Sequence, residues 1–174
     1  MAHFAKIGLN NKVIQVLYVS DQDCIGADGV ENEEIGRQFL EDQSGWPLWV
    51  QTSRNTRSGV YYSDDGVLGD QSKVFRGTFA GIGMIWDPTR EIFYREKPTN
   101  NPSFVWSDEK VAYVCPVERP SVDNETKGIT VNGTPTSAVM IKWDETDVTW
   151  KAVEPSTGKN FTWNTTSNIW ENDE

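Results

Sequence analysis

The feature that most constrains this chain is a tryptophan followed seven positions later by a second aromatic residue, a pattern that recurs from residue 86 onward. The four pairs are Trp86 and Phe93, Trp106 and Tyr113, Trp143 and Trp150, and Trp163 and Trp170. Because six of the eight tryptophans of the chain belong to these pairs, chance is a poor explanation for them. The fold must therefore bring residues i and i+7 together repeatedly.

Two secondary structures bring residues i and i+7 to the same side. An α-helix does so two turns apart, whereas a tight antiparallel hairpin places the two residues directly opposite one another. The intervening residues favour the hairpin, because segments such as Asp87-Pro88-Thr89 and Thr146-Asp147-Val148-Thr149 consist of turn and strand formers. We therefore predict four Trp-paired hairpins, each with an aromatic pair across its two strands.

Turn-forming side chains follow the first tryptophan of each repeat. These residues are Asp87, Ser107, Asp144 and Asn164, and each can accept hydrogen bonds from nearby backbone N–H groups. The longest gap between repeats contains Asn132-Gly133, a strong two-residue turn signal, so we predict one more hairpin over residues 129–142. Prolines beside the repeats indicate extended connections, with the hairpins stacked on one another or on a partner.

The N-terminal part of the chain predicts a hairpin followed by a helix. Residues 4–9 and 12–19 are strand-like, and Asn10-Asn11 between them tolerates the positive φ of a tight turn. Residues 32–44 predict the one convincing helix, with Asn32 as the N-cap, acidic residues in the first turn and Gly45 at the end. We expect this helix to pack across the N-terminal sheet.

Two more strands and a long excursion follow the helix. Residues 46–52 predict a strand with Pro47 near its start, where a missing N–H is tolerated. Residues 53–77 predict a polar, glycine-rich excursion in which residues 60–62 add a short strand. Residues 79–86 predict another strand, whose alternating glycines allow close backbone approach on one face.

These patterns predict a mainly β protein. Residues 1–95 are predicted to form an α+β domain with one helix on an antiparallel sheet, and residues 96–174 an array of Trp-paired hairpins. The mean hydropathy of −0.56 is low for one large core, yet 8 Trp, 5 Tyr and 7 Phe are too many for a disordered chain. Several thin layers, each organised by a few large rings, satisfy both observations.

The charge of the chain restricts its partners. A net charge of −10 repels the phosphates of nucleic acids and anionic membrane surfaces, so we expect the chain to bind neither. The N-terminal residues lack the apolar segment of a signal peptide, and no later run is long enough to span a membrane. Cys24 and Cys115 form no disulfide framework, and we expect two free thiols.

Few residues suit catalysis or the binding of a cofactor. His3 is the only histidine, and the mobile start of a chain is a poor place for a general base. No His or Cys cluster suits a transition metal, and residues 77–83 lack the Lys-Ser/Thr of a phosphate-binding loop. We therefore expect a protein that is not an enzyme, with no catalytic residue, cofactor or metal.

Acidic residues leave two alternatives open. A glycosidase-like carboxylate pair needs two positioned acids, and the adjacent pairs Glu33-Glu34 and Asp64-Asp65 are more typical of a helix start and a solvated turn. Asp21, Asp23 and Asp28 offer calcium ligands, but without a complete ligand pattern a solvated loop is the favoured interpretation.

Several segments resemble a family of small virion proteins from tailed phages of marine cyanobacteria and related bacteria. The similar segments are residues 1–7, 13–16, 49–53 and 80–87 and the terminal Trp-paired hairpins, with residues 61–75 and 117–140 least covered. Residues 97–106 diverge from the Pro-Tyr-Pro-Ser-Trp sequence typical of the family. The resemblance implies a component of the virion, assembled in the host cytoplasm, without indicating its position on the particle.

We accordingly predict a non-enzymatic virion structural protein, a capsid decoration protein or a neck or tail accessory subunit. Its expected partners are other virion proteins, and self-association into a homo-oligomer stays open. Because Trp, Tyr and Arg are enriched at interfaces, the interaction candidates in the first half are Trp46, Trp49, Tyr61, Tyr62 and Arg76, with core packing favoured for Trp49.

The alternative function is a host-surface glycan-binding module on the virion. Trp163 and Trp170, close to a polar C-terminus, are the candidate platform because exposed indole faces stack on sugar rings. Against this alternative, each of the two tryptophans is also predicted to pair within its own hairpin, which leaves little of its face free.

Overall fold

A computed structural model describes residues 2–173 and confirms a mainly β fold with one α-helix. The chain forms two compact units. The first runs as far as Glu96 and also includes Trp106–Tyr113, so the second of the four Trp-paired hairpins belongs to it. The second unit consists of Lys97–Val105 and the chain after Tyr113.

The first unit contains the helix and most of the short strands. In chain order these elements are β1 (Ala2–Ile7), β2 (Val13–Val19), α1 (Glu33–Ser44), β3 (Trp49–Thr52), β4 (Thr56–Arg57), β5 (Val60–Tyr61), β6 (Ile85–Asp87), β7 (Ile92–Tyr94), β8 (Val105–Ser107) and β9 (Ala112–Val114). Strand β1 lies in the middle of an antiparallel sheet of order β2-β1-β3. Strands β4 and β5, β6 and β7, and β8 and β9 each form a two-stranded sheet.

The predicted N-terminal hairpin is present, with a longer turn than two residues. Leu9–Asn11 form a short 3₁₀ turn between β1 and β2, and Asn10 and Asn11 have φ values of 56° and 57°. Asparagine tolerates this left-handed conformation better than most residues, which explains why two of them occur here.

Helix α1 begins and ends where its sequence predicts. The Asn32 side chain accepts hydrogen bonds from the backbone N–H groups of Glu34 and Ile35, and Gly45 ends the helix with a φ of 65°. Leu40 packs with Phe4 and Trp49 of the sheet in one buried cluster. The helix thus packs on the N-terminal sheet, as predicted, and Trp49 is a core residue that is 1% exposed.

The predicted strand over residues 79–86 is wrong for most of its length. Only Ile85 and Trp86 lie in a strand, β6, while residues 79–84 form an irregular segment with a turn. Gly83 has a φ of 86° and its N–H bonds to Val13 O, while Met84 O accepts from Val13 N. Gly83 thus serves a left-handed turn docked on β2, and the alternating glycines do not mark a strand here.

The excursion over residues 53–77 is held to the rest of the first unit by buried polar groups. Thr56 is fully buried, its hydroxyl accepts from Phe75 N at 3.0 Å, and its carbonyl accepts from Phe79 N at 2.7 Å. The predicted short strand is present as β5, paired with β4.

The second unit is one six-stranded sheet. Its strands are β10 (Thr130–Val131), β11 (Thr134–Pro135), β12 (Met140–Asp144), β13 (Thr149–Glu154), β14 (Lys159–Asn164) and β15 (Ile169–Asn172). The spatial order is β11-β10-β15-β14-β13-β12, and all pairs are antiparallel except β10 with β15. The core contains Ile129, Val131, Ala152, Phe161 and Trp170.

The hairpins of the second unit pair edge to edge in one sheet, so the predicted stacking of these hairpins on one another is wrong, while stacking on a partner stays a prediction. Strands β13 and β14 form a hairpin of their own, closed by a turn that ends at Gly158 with a φ of 73°. This turn joins the last two Trp-paired hairpins into a continuous ladder of backbone hydrogen bonds. The further hairpin predicted at Asn132-Gly133 is present as β10 and β11.

Candidate binding surfaces

The aromatic pairs of the repeat lie across the strands of their hairpins. Trp86 is opposite Phe93, Trp143 opposite Trp150, and Trp163 opposite Trp170. The ring centroids are 4.7 Å apart in the first pair and 5.3 Å in the two Trp-Trp pairs, while Trp106 and Tyr113 are 5.4 Å apart. Three of the four pairs are close to edge-to-face, the arrangement that the ring quadrupoles favour.

The turn residues predicted from the repeat cap their hairpins. The carboxylate of Asp87 accepts from Thr89 N and Arg90 N, and Asp144 and Asn164 accept from the same two turn positions of their hairpins. Ser107 accepts at the second of these positions only, from Lys110 N. Hydrogen bonds from Asp147 N and Thr146 N, with Lys151 nearby, hold the pKa of Asp144 below its usual value against the opposing effect of burial.

Every hairpin of the repeat also has a left-handed residue at the same position, five after its first tryptophan. These residues are Glu91, Val111, Val148 and Asn168, with φ between 48° and 55°. Only the last is a residue type that favours this conformation. The four-residue connection therefore has one strained position, which the Trp-x6-aromatic pattern alone does not reveal.

The tryptophans of the second unit differ in whether their indole N–H is used. Trp143 donates to Glu145 at 2.7 Å, and Trp150 donates to the carbonyl of Val117 at 3.0 Å. Trp163 is half-buried and has no hydrogen-bond acceptor for its N–H within residues 2–173, and that of Trp170 is buried without one. The last hairpin is thus the one whose two indole donors are both unused.

A groove of about 690 Å³ lies on the second unit, beside this last hairpin. Its lining includes Asp123, Thr130, Asn132, Trp163, Asn168 and Ile169. We call it the Trp163 groove. Its size is within the range of sites for small molecules. The predicted stacking platform of Trp163 and Trp170 is wrong for Trp170, which is 3% exposed and has no free face.

The polar groups of the Trp163 groove are only partly satisfied by the protein. One carboxylate oxygen of Asp123 accepts from Glu125 N, Thr126 N and Thr126 Oγ1, and these hydrogen bonds lower the pKa of this carboxyl. The other oxygen has no donor within the described chain, nor do the side-chain amides of Asn132 and Asn168 have a partner there. The groove therefore combines an aromatic side chain with unused donors and acceptors.

The interaction candidates of the first unit are mostly engaged within it. Arg76 forms two hydrogen bonds to Glu33, at 2.6 and 2.8 Å, and a third to Gln51 O, and its side chain is only 15% exposed. Its guanidinium also lies 5.1 Å from the centroid of Trp86. Arg76 is therefore half-buried and bonded within the first unit, and its part in binding a partner stays a prediction.

Trp46, Tyr61 and Tyr62 are half-buried. Trp46 Nε1 donates to Ile7 O at 2.9 Å, and Lys6 lies over its ring at 4.8 Å. Cations of Lys73 and Arg57 lie over the rings of Tyr61 and Tyr62, at 6.0 and 5.7 Å. These aromatics keep some exposed surface, and their part in binding a partner stays a prediction.

An exposed apolar surface that the sequence patterns did not predict lies at the turn end of β1 and β2. Leu9, Ile14 and Ile82 are 89%, 46% and 72% exposed. We call these three residues the aliphatic surface. Lys12 N bonds to Leu9 O within the turn that precedes β2, and Gly83 N bonds to Val13 O, which joins the segment that carries Ile82 to β2 beside Ile14. Two features of the sequence indicate these exposed turns: an isoleucine between two glycines, and a leucine beside Asn10-Asn11.

His3 is not in a mobile terminus. It lies in the central strand β1, opposite Tyr18 and Thr52, and its ring packs edge-on against Phe79 with centroids 5.4 Å apart. Burial, assisted by the charge of Arg54, lowers the pKa of His3. Mobility therefore does not exclude His3 as a general base, contrary to the prediction, whereas the expectation of no enzymatic activity stays a prediction.

The other acidic and thiol groups have ordinary surroundings. Glu33 and Glu34 are in the first turn of α1, where they bond Arg76 and Arg37, and Asp64 accepts from Asn55 and Arg54. Within residues 2–173 no three His, Cys, Asp or Glu side chains are arranged to hold a metal ion. Both cysteines are free thiols, and burial raises the pKa of each.

The one helix of the described chain lacks the length and apolar character needed to cross a membrane. Comparison with protein-family models, curated proteins and solved structures found no match to this chain.

Proposed function

We propose that this chain is a non-enzymatic structural subunit of a tailed-phage particle, a capsid decoration protein or a neck or tail accessory subunit that binds other virion proteins. The resemblance of its sequence segments to small virion proteins supports the assignment of the chain to the phage particle. The aliphatic surface supports the binding of a protein partner. The aliphatic surface is the observation that carries the proposal.

The aliphatic surface has the properties of a preformed docking site. Single exposed aliphatic side chains are common, but large ones on adjacent turns are characteristic of contact with another protein. Backbone hydrogen bonds fix the two turns, through Gly8 N to Lys12 O at 2.7 Å and Gly83 N to Val13 O at 2.8 Å. A fixed surface loses little conformational freedom on binding, which favours affinity.

The proposal is tested by incorporation into particles. Cells infected with the phage produce tagged wild-type chain, Leu9→Asp or Ile82→Asp, and the tag in purified virions is quantified by mass spectrometry. We expect each variant to incorporate at least about tenfold less than wild type, since burying an unpaired charge costs more than the roughly 1.4 kcal/mol that a tenfold change requires.

The matched control is Val67→Asp, because Val67 is 57% exposed in a different turn, outside the aliphatic surface. It should incorporate like wild type, and circular dichroism should show all three variants folded. Incorporation of Leu9→Asp and Ile82→Asp at the wild-type level would contradict the assignment of the docking surface. Absence of the wild-type chain from virions would contradict the proposed function itself.

A further inference from the structure

We propose that the Trp163 groove binds an uncharged saccharide, a role beyond docking on other virion proteins. The proposal starts from the unused donors of the last hairpin. In its sister hairpin both tryptophans bond protein acceptors, through Glu145 and Val117, but neither Trp163 nor Trp170 has one within residues 2–173. Indole N–H groups in folded proteins usually find an acceptor. A ligand rich in hydroxyl and ring oxygens would supply acceptors beside Trp163.

The remaining groups of the groove match a sugar better than other ligands. The amides of Asn132 and Asn168 each offer donors and an acceptor, and the second oxygen of Asp123 accepts, so adjacent hydroxyls can be bonded from several sides. The half-buried ring of Trp163 offers an apolar contact for the C–H face of a pyranose. Such a mixture of one aromatic and a few convergent polar groups is typical of small-molecule sites.

The charge of the Trp163 groove disfavours an anionic ligand, and its backbone disfavours a peptide. The groove contains the carboxylate of Asp123 and the chain carries a net charge of −10, so an anionic ligand such as a phosphate or an acidic polysaccharide is repelled. A peptide adding to the sheet at the groove would pair with β11, the edge strand on this side, where Pro135 lacks an N–H for the new ladder. A neutral saccharide encounters neither obstacle.

Two substitutions remove ligand groups while preserving the hairpin. Asn168→Gly keeps a residue that accepts the left-handed φ of 55° and removes only the amide. Trp163→Phe keeps an aromatic ring opposite Trp170 and removes the indole N–H. The matched controls are Val148→Gly and Trp143→Phe, which introduce the same residues at the equivalent positions of the sister hairpin, outside the groove.

The experiment is an NMR titration of the full chain with neutral hexasaccharides of glucose, mannose, galactose and N-acetylglucosamine. We expect at least one to shift the resonances of Trp163, Asn132 and Asn168, with Kd weakened about tenfold by Trp163→Phe or Asn168→Gly and unchanged by the controls. An acidic hexasaccharide should cause no shift.

Three results would overturn the saccharide site. One is no shift with any neutral hexasaccharide at about 10 mM, a concentration that saturates sites with a Kd near 1 mM. Another is binding that survives both groove variants, and the third is binding confined to the acidic sugar. Because the titration uses the isolated chain, its outcome is independent of whether the chain is part of a virion.

Discussion

Val148 occupies a backbone conformation that valine rarely adopts, and the repeat itself provides the comparison. Its φ of 51° matches the 55° of Asn168 at the equivalent turn position, and its side chain is 43% exposed, so little packing offsets the strain. Left-handed backbone costs roughly 1–2 kcal/mol for most residues and less for asparagine. We expect Val148→Asn to raise the free energy of unfolding by about 1 kcal/mol.

Urea unfolding of the full chain measures this change. The reciprocal variant Asn168→Val should lower the free energy of unfolding by a similar amount, which controls for effects of the side chain alone. A Val148→Asn variant no more stable than wild type would mean that the turn is not strained at this position.

Gly36 illustrates a second residue whose identity is set by packing. A Cβ at this position would lie 2.5 Å from Phe4 Cζ and 3.0 Å from Cys24 Sγ. Alanine normally stabilises a helix by about 0.5–1 kcal/mol relative to glycine, but an overlap in a packed core costs typically 1–3 kcal/mol.

We therefore expect Gly36→Ala to lower the free energy of unfolding, measured by thermal melting and urea unfolding. Gln38→Ala, on the exposed side of the same helix, should change it by less than about 0.5 kcal/mol. A stabilised Gly36→Ala variant would show that α1 does not pack closely on Phe4.

Roles that depend on contacts within a few residues of the chain could be predicted from the sequence. Roles that depend on contacts between residues far apart in the chain could not. Asn32 as an N-cap and Asp144 as a turn cap involve hydrogen bonds over two or three residues, which a local pattern reveals. Arg76 is bonded to a partner 43 positions away, and Trp170 lies in a buried cluster that includes Val131 of a distant strand. The sequence pattern around a residue does not indicate contacts of this kind.

At the scale of elements, the Trp-paired hairpin was predictable because its defining contact spans seven residues and its turn lies between them. The β13–β14 hairpin has the same connection length but pairs Val153 with Asn160 instead of two aromatics, so it gave no repeat signal. The parallel pairing of β10 with β15 could not be predicted from the sequence either, because it joins Val131 and Trp170, which are 39 positions apart.

The aromatic pair should contribute most to the stability of its hairpin. Trp143→Ala is expected to lower the free energy of unfolding by roughly 2–3 kcal/mol, below the 3–5 kcal/mol of a fully buried tryptophan because Trp143 is half-buried. Trp143→Phe keeps the edge-to-face contact and should cost about 1 kcal/mol.

Thermal melting of the full chain measures both variants, and Lys142→Ala, on the exposed neighbouring position of β12, is the control. Equal melting temperatures for Trp143→Ala and wild type would contradict the account of the aromatic pair.

For the whole molecule, acid should be the condition that destabilises the fold. Carboxylates with lowered pKa values occur throughout the chain: Glu34, Asp64, Asp65, Asp70, Asp123, Asp144, Glu145 and Glu154. A carboxyl whose pKa is lower in the folded state stabilises that state above its unfolded pKa. This stabilisation is lost as the pH falls through the folded pKa.

We expect the urea midpoint to be nearly constant between about pH 7 and pH 5 and to fall below about pH 4.5, where unfolded glutamates and aspartates begin to bind protons. Glu154, which accepts from Thr157 Oγ1 and Ser137 N, provides the test. Glu154→Gln should lower the midpoint at pH 7 and reduce the acid dependence, and Glu125→Gln, at an exposed turn position, should leave the midpoint at pH 7 unchanged. A midpoint that rises on acidification would contradict this account.

The central claim, that this chain is a structural subunit of a tailed-phage particle, is tested most directly by electron microscopy of purified virions labelled with antibody against it. The account predicts specific label on intact particles: on the head for a capsid decoration protein, or confined to the neck or tail for an accessory subunit. Particles that carry no label, although the same antibody detects the free chain in the lysate, would contradict it.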